Sequence, residues 1–448
     1  MHNRTEQFLN DPVFPLLVRM SAPNTIAFFI QAIVVLAEVW FVSKLGTTSL
    51  AAVALAFPVI MLTQQMAFGA LGGAVTSSIA RSLGAEDKER AEKLLWHSLL
   101  LSCCGYLLFF LIFFIGGESL LMALGGEGSL LEESLLYIKI FLTGAIFIWL
   151  SGMLSAALRG IGNMRFPALL MIVGSGIQVI LAGGLILGWF GLPKLGIIGA
   201  PLSAISVAAL MAIVMILKFM HSSSNVQLKL SNLSFKKELF GDIFNVALPA
   251  SLAPIFTVGT ILILTGLVGQ FGVSALAGYG IGSRIEFLMI PLVFGIGTAM
   301  TTMVGTNIGA KKVERAERIG WLGGSFAGLF SGMIGLMLIL SSSYWINFFA
   351  TDQATYEVTK QYIEIVGLCF TFQGLGLSLY FASQGANAMK WPIIATVIRF
   401  VVAALGGWIA VNWFSSGIAG VFYAAASAMT IYGVMLVLSL KLGAWRSN

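Results

Sequence analysis

Two charged stretches decide the fold: Gly84-Ala85-Glu86-Asp87-Lys88-Glu89-Arg90-Ala91-Glu92 and, 225 residues later, Gly309-Ala310-Lys311-Lys312-Val313-Glu314-Arg315-Ala316-Glu317. Both open on Gly-Ala, close on Glu-Arg-Ala-Glu and lie between long apolar runs. The offset persists, to within one residue, outside them. Gly160 and Pro167 return as Gly385 and Pro392, and Leu45-Gly46 with Leu50-Ala51 returns as Phe271-Gly272 with Leu276-Ala277. In a chain of 448 residues this marks a duplicated unit about half the chain long, and a repeat of that size governs every local reading.

Composition names the solvent. Apolar residues make up 58% and charged residues 10%, against roughly 25% charged in a soluble domain. So few charges cannot cover a water-facing surface, so most of the surface must face lipid. The 51 glycines suit helices that approach closely in a bilayer. The net charge of +6 is spread over short loops, which the positive-inside rule explains and a nucleic-acid surface does not. Cys103, Cys104 and Cys369 sit inside apolar runs, and His2, His97 and His221 are scattered, so neither a disulfide framework nor a metal spacing is present. Residues 1–12 are short and polar, and the first apolar run is expected to serve as the signal anchor.

A spanning helix needs about 20 apolar residues. Twelve such runs occur, from 14–43 to 417–440, with a polar outer loop expected at 116–133. Only helices suit them, because a strand edge in lipid leaves its backbone unpaired. The N-terminal tail, the loops after the even-numbered runs and the C-terminal tail hold 18 Lys and Arg; the opposite loops hold three, Lys44, Lys194 and Lys360. That bias places both termini in the cytoplasm. The expected organisation is an N-lobe over 1–220, a cytoplasmic linker over 221–241 and a C-lobe over 242–448, each lobe carrying six spans. Two halves of equal orientation are related by an axis along the membrane normal, with the substrate expected between them.

The sequence has no Gly-x-x-x-x-Gly-Lys-[Ser/Thr] loop, no large soluble segment and no metal set, which argues against an ATPase, a receptor and a membrane enzyme. Transport driven by an ion gradient needs no cofactor, only the transported Na⁺ or H⁺. Ionisable residues inside spans are then the sharpest clues, because they are costly to insert. Asn24, Gln31 and Glu38 recur every seven residues in the first span, just above Pro23, and form one polar stripe. Glu38 reads as a cation-coupling carboxylate, exchanging a proton or binding Na⁺ beside amide oxygens, or else as an acid that simply faces water at the outer end. Arg284 and Glu286 in the eighth span point to different faces. Gln373, Tyr380 and Gln384 share one face of the tenth and suit either a substrate cavity or interhelical hydrogen bonds. Lys139 and Glu364 occupy matching places in the two repeats, and Arg399 lies within the eleventh span near its inner end.

Taken in order across nearly the whole chain, these pieces resemble the MATE family, the multidrug and toxic compound extrusion transporters. The resemblance rests on Leu45-Gly46 with Leu50-Ala51-Ala52-Val53, Ser82-Leu83-Gly84-Ala85, Leu158-Arg159-Gly160-Ile161-Gly162-Asn163 with Pro167, Gly280-Ile281-Gly282-Ser283-Arg284-Ile285-Glu286 and Val304-Gly305-Thr306-Asn307-Ile308-Gly309-Ala310. It implies a V-shaped pair of six-helix bundles in a bacterial inner membrane, acting as a monomer that exports small organic cations against Na⁺ or H⁺. It also implies an acid just before the first Leu-Gly turn, where Glu38 stands. Some members carry Asn and, four residues on, Asp in the fifth span, where this chain has Gln178 and Ala182. Others carry Glu in the seventh span, near Thr257 here, and Asp in the tenth; this chain matches neither, so Glu38 with Gln178 is the expected coupling pair. A flippase for a lipid-linked head group, from the wider superfamily, is the alternative. It would call for several basic residues in the cavity, and only Arg284 and Arg399 are available.

Overall fold

The computed structural model describes residues 4–221, 226–349 and 352–446, and no strand occurs among them. Among the described residues, twelve helices are long and apolar enough to cross a membrane. Spans 1 to 6 are Val13–Ser43, Thr47–Gly84, Lys88–Ala123, Gly128–Gly160, Arg165–Leu187 and Gly196–Met220. Spans 7 to 12 are Lys237–Gly269, Val273–Gly309, Val313–Leu340, Gln353–Gly385, Lys390–Asn412 and Gly417–Lys441. The chain is therefore an all-helical, multi-pass membrane protein.

Two boundaries differ from expectation. The polar loop expected at 116–133 is only the turn 124–127. Gly116-Gly117 does not end span 3, because Leu120, Leu121 and Met122 carry the helix on. It ends at Ala123, and Gly125 just beyond, with a φ of 94°, lets Gly126 N–H reach the Leu121 carbonyl at 2.9 Å. Span 7 begins at Lys237, inside the segment read as linker. The linker residues 222–225 lie outside the described residues.

The repeat is visible in backbone detail. Each charged turn places one residue in the left-handed region, Glu86 at φ 61° and Lys311 at φ 60°. In each, the same carbonyls are satisfied: Ala85 N–H donates to Arg81 and Asp87 N–H to Ser82, as Ala310 donates to Thr306 and Lys312 to Asn307. Side chains repeat as well. Thr76 Oγ1 donates to the Ala156 carbonyl and Thr301 Oγ1 to the Phe381 carbonyl, both at 2.9 Å. The Ser134 hydroxyl also lies 3.3 Å from the Ala52 carbonyl and that of Thr359 lies 3.1 Å from the Gly278 carbonyl, each with a closer acceptor one turn back in its own helix, Leu130 and Thr355. Spans 2 and 4 are thus joined as spans 8 and 10 are joined, by hydroxyls that satisfy carbonyls where water is absent.

The chain forms two compact units, one of residues 26–247 and the other of residues 1–25 with 248–448. The Glu-Arg-Ala-Glu motifs explain why each unit includes a short piece of the opposite half. In the 26–247 unit, Arg90 pairs with Glu238 at 3.2 Å and Asp242 at 3.3 Å, at the start of span 7. Arg81 pairs with the same Asp242 at 2.5 Å. In the other unit, Arg315 donates to the Phe8 carbonyl at 3.1 Å and to the Asp11 carbonyl, just before span 1. The closing glutamates hold the segments that leave each half. Glu92 accepts from Gln227 N–H at 3.2 Å and Asn232 Nδ2 at 2.5 Å, and Glu317 accepts Nε and NH2 of Arg446, both at 2.7 Å.

Gly160 and Gly385 end spans 4 and 10 where these cross spans 2 and 8. A Cβ at Gly385 would stand 2.5 Å from the Thr301 carbonyl oxygen, whereas at Gly160 the nearest atoms are 3.0 Å away. Gly385→Ala is therefore expected to destabilise the protein by about 1–3 kcal/mol, with Gly160→Ala costing less. Thermal unfolding in detergent measures both, and an equal or reversed order would refute the packing argument.

Candidate functional site

Span 1 carries the candidate acid because its seven-residue spacing keeps Gln31 and Glu38 on one helical face. Spans 5 and 6 supply the partners. Gln178 Nε2 donates to Glu38 Oε1 at 2.8 Å, and the Ser203 hydroxyl lies 3.4 Å from the same oxygen. That hydroxyl has one proton, and the Ala200 carbonyl at 2.7 Å is the better acceptor, so Gln178 is the effective donor. No described residue bonds Oε2. Two turns away Ser175 donates to Gln31 Oε1 at 3.1 Å, which ties the same two helices again. Ser175 and Gln178 are three residues apart and so share a face of span 5. Tyr137 of span 4, buried, lies within electrostatic reach of Glu38. One turn beyond Glu38, the rings of Phe41 and Trp189 meet edge to face 5.5 Å apart. The result is a half-buried carboxylate with one oxygen held by an amide and the other available.

Asn24 does not join this group. It is buried two further turns along, where its Nδ2 donates to Thr298 of span 8 at 3.2 Å. The seven-residue stripe exists, but its members serve different neighbours. Ser175, Ser203 and Tyr137 escaped the sequence reading. The Ser175–Gln178 spacing was a usable signal for one of them, whereas nothing marks Ser203 among the small residues of span 6.

The second group separates further. Gln373, Tyr380 and Gln384 are all buried, at 8%, 6% and 0% exposure, among the helices of their own unit. The Tyr380 hydroxyl donates to the Ala250 carbonyl of span 7 at 3.1 Å, an interhelical bond. Gln373 Oε1 is buried without a hydrogen-bond partner. Glu286 Oε2 accepts from Tyr362 at 3.1 Å, and Tyr362 occupies the repeat position of Tyr137. Arg399 donates to Thr257 at 3.3 Å and lies 5.1 Å from the Tyr432 ring, close enough for its charge to act on Glu286. Arg284, two residues before Glu286, is exposed.

Known proteins resemble this chain over most of its length. A family model described as MatE matches residues 23–182 and 249–409, one stretch in each half. The FAD transporter of Shewanella oneidensis is 26% identical over 419 residues, covering 90% of this chain and 90% of its own. The probable multidrug resistance protein NorM of Thermotoga maritima is 24% identical over 437 residues, covering 96% and 93%. Among solved structures, a MOP superfamily transporter from Pyrococcus furiosus superposes with a TM-score of 0.92 at 25% identity, covering 99% of this chain and 98% of its own.

Because Gln178 is the effective donor, Gln178→Leu is expected to cost about 1–2 kcal/mol, while Ser203→Ala stays within about 0.5 kcal/mol. Thermal unfolding of the two variants in detergent decides the matter. A larger loss for Ser203→Ala would mean that the serine, not the amide, holds the acid.

Proposed function

Since the chain belongs to the MatE family, whose members are secondary transporters and not enzymes, we propose that it exports small amphipathic organic cations in exchange for inward-moving Na⁺ or H⁺. Glu38 is the coupling carboxylate in this reading, and Gln178 its positioning residue. The observation that carries it is the Gln178–Glu38 bond at 2.8 Å, which leaves the second carboxylate oxygen unbonded inside a span. An acid kept there at the cost of insertion is a functional group by default. A proton can take that second oxygen directly. A sodium ion can take it too, with the Ser203 hydroxyl, 3.4 Å from the first carboxylate oxygen, as a further oxygen group on span 6.

Coupling requires only that the ion bind one access state more tightly than the other. Glu38 is suited to that role because its partners lie on two other helices, so a shift of span 1 against spans 5 and 6 changes its environment. Pro23 lies within the same helix and interrupts its backbone bonding, which gives span 1 a place to bend. The two charged turns and both termini face the cytoplasm of a bacterial cell in this reading, and one chain, holding both halves of the repeat, suffices as the working unit. A relative named as a probable multidrug resistance protein supports this reading, and one named as an FAD transporter supports transport of an organic molecule.

Reconstituted vesicles test the proposal directly. Under an imposed Na⁺ or H⁺ gradient, one of the two is expected to drive ethidium efflux, and Glu38→Gln to slow it at least tenfold without lowering thermal stability. Gradient-driven efflux that survives in Glu38→Gln would remove the acid from the coupling step. Absence of ethidium movement under both gradients would end the organic-cation reading.

A further inference from the structure

Spans 5 and 6 contain no acid, and neither do spans 11 and 12. No Asp or Glu occurs between Glu133 and Glu238, and none follows Glu364. Each of these two hairpins nevertheless carries cations at the end that bears the charged turns. Arg165-Phe166-Pro167 opens span 5 and returns 225 residues later as Lys390-Trp391-Pro392 at the start of span 11. Lys218 lies in the last turn of span 6 and Lys441 in the last turn of span 12. Spans 5 and 6 pack along each other, as do spans 11 and 12, so each hairpin closes on a pair of basic residues. In the first hairpin the closeness is direct: Lys218 Nζ lies 5.7 Å from the centre of the Phe166 ring, beside Arg165.

Other cations at this end are already engaged. Arg81 and Arg90 meet Asp242, Arg315 meets backbone carbonyls and Arg446 meets Glu317. Among the described residues, none of Arg165, Lys218, Lys390 and Lys441 forms an ion pair. Arg165, Lys390 and Lys441 are exposed, and Lys218 is half-buried. The positive-inside bias accounts for cations at one end. It does not account for their return at the same two places in each half, in hairpins free of acid.

The helix faces that continue from these cations are apolar and open. Leu169 and Val173 follow Arg165 at four-residue steps, Leu217 stands beside Lys218, Ile394 follows Lys390, and Val434 and Leu438 precede Lys441, all exposed. A ligand that fits must set an anion between the basic residues and lay hydrocarbon along the helices. A phospholipid of net negative charge does both, whereas a zwitterionic one brings its own ammonium group against them. The first turns of spans 5 and 11 add the positive end of a helix dipole, which favours a phosphate. We propose that each pair, Arg165 with Lys218 and Lys390 with Lys441, is a binding site for one anionic phospholipid, whose acyl chains lie along the exposed face of the same hairpin. Neither site depends on what the protein transports.

Native mass spectrometry of the full-length protein, titrated with lipid in detergent, tests both sites. The probes are dioleoylphosphatidylglycerol, dioleoylphosphatidylcholine and, as a soluble phosphate, glycerol 3-phosphate. Two molecules of the glycerol lipid are expected to bind about tenfold or more tightly than the choline lipid, since each basic residue near a membrane surface contributes roughly fivefold. Glycerol 3-phosphate at equal concentration is expected to displace neither. Arg165→Gln with Lys218→Gln should remove one tight site, Lys390→Gln with Lys441→Gln the other, and the fourfold variant both. Lys88→Gln with Lys311→Gln takes the same charge from exposed positions in the charged turns and should leave both sites intact. Thermal unfolding confirms that the variants are folded. Equal affinity for the two lipids, tight binding that survives the fourfold variant, or an equal loss in the Lys88 and Lys311 variant would overturn the assignment. Displacement by glycerol 3-phosphate would overturn it too, by making these sites for a soluble anion.

Discussion

A hydrocarbon interior offers no partner to a peptide N–H or to a charge, and every feature of this chain answers to that constraint. Backbone groups are satisfied inside helices. Where helices cross, the hydroxyls of Thr76 on span 2 and Thr301 on span 8 turn to carbonyls of the crossing partner, at matching positions in both halves. Most charges are gathered into short turns at one end. The few that remain inside spans are therefore the residues whose placement needs a reason beyond folding.

The charged turns do more than mark the ends of spans. The arginine of each Glu-Arg-Ala-Glu holds the chain as it enters a span of the opposite half, and the glutamate holds the chain as it leaves its own. Arg90 and Arg315 do this by different chemistry. One meets carboxylates of Glu238 and Asp242, the other backbone carbonyls of Phe8 and Asp11. The duplicated sequence thus preserved the role while the partners diverged. Exposed ion pairs contribute little to stability, but Asp242 is largely buried and shared by two arginines, and breaking such a pair strands a charge. These contacts fix where spans 1 and 7 begin, and span 1 is the helix that bears Glu38.

Span count, the repeat and the acid in span 1 were legible in the sequence because each is a one-dimensional signal: hydropathy, offset and an isolated charge. The helix ends near Gly116 and Lys237 were not, since glycine in an apolar run need not terminate a helix and the linker's last polar residues form the first turn of span 7. Glu38 and Gln178 were paired by analogy, and the distance between them is a fact of tertiary packing. Asn24 illustrates the limit of periodicity. A shared helical face says which way a side chain points, but not which helix passes in front of it at that height. Tyr380 illustrates the same limit, because its phenol bonds the Ala250 carbonyl of span 7, and phenols serve interhelical bonds as readily as they line cavities.

The two halves began as copies, so their differences carry information that their likeness does not. Glu38 corresponds to Leu264 under the offset that aligns Gly46 with Gly272, and Arg284 corresponds to Pro58. Neither charge has a counterpart, although the tyrosines near the acids do: Tyr137 and Tyr362 stand at matching positions. A structural role that the fold required of every such unit would be expected in both copies, as the hydroxyl bridges and charged turns are. A charge present in one copy alone is not required by what the two units share, though Glu286 and Arg399, likewise single, are taken up by bonds to Tyr362 and Thr257. For Glu38 the half-buried carboxylate with one open oxygen fits an exchanging cation.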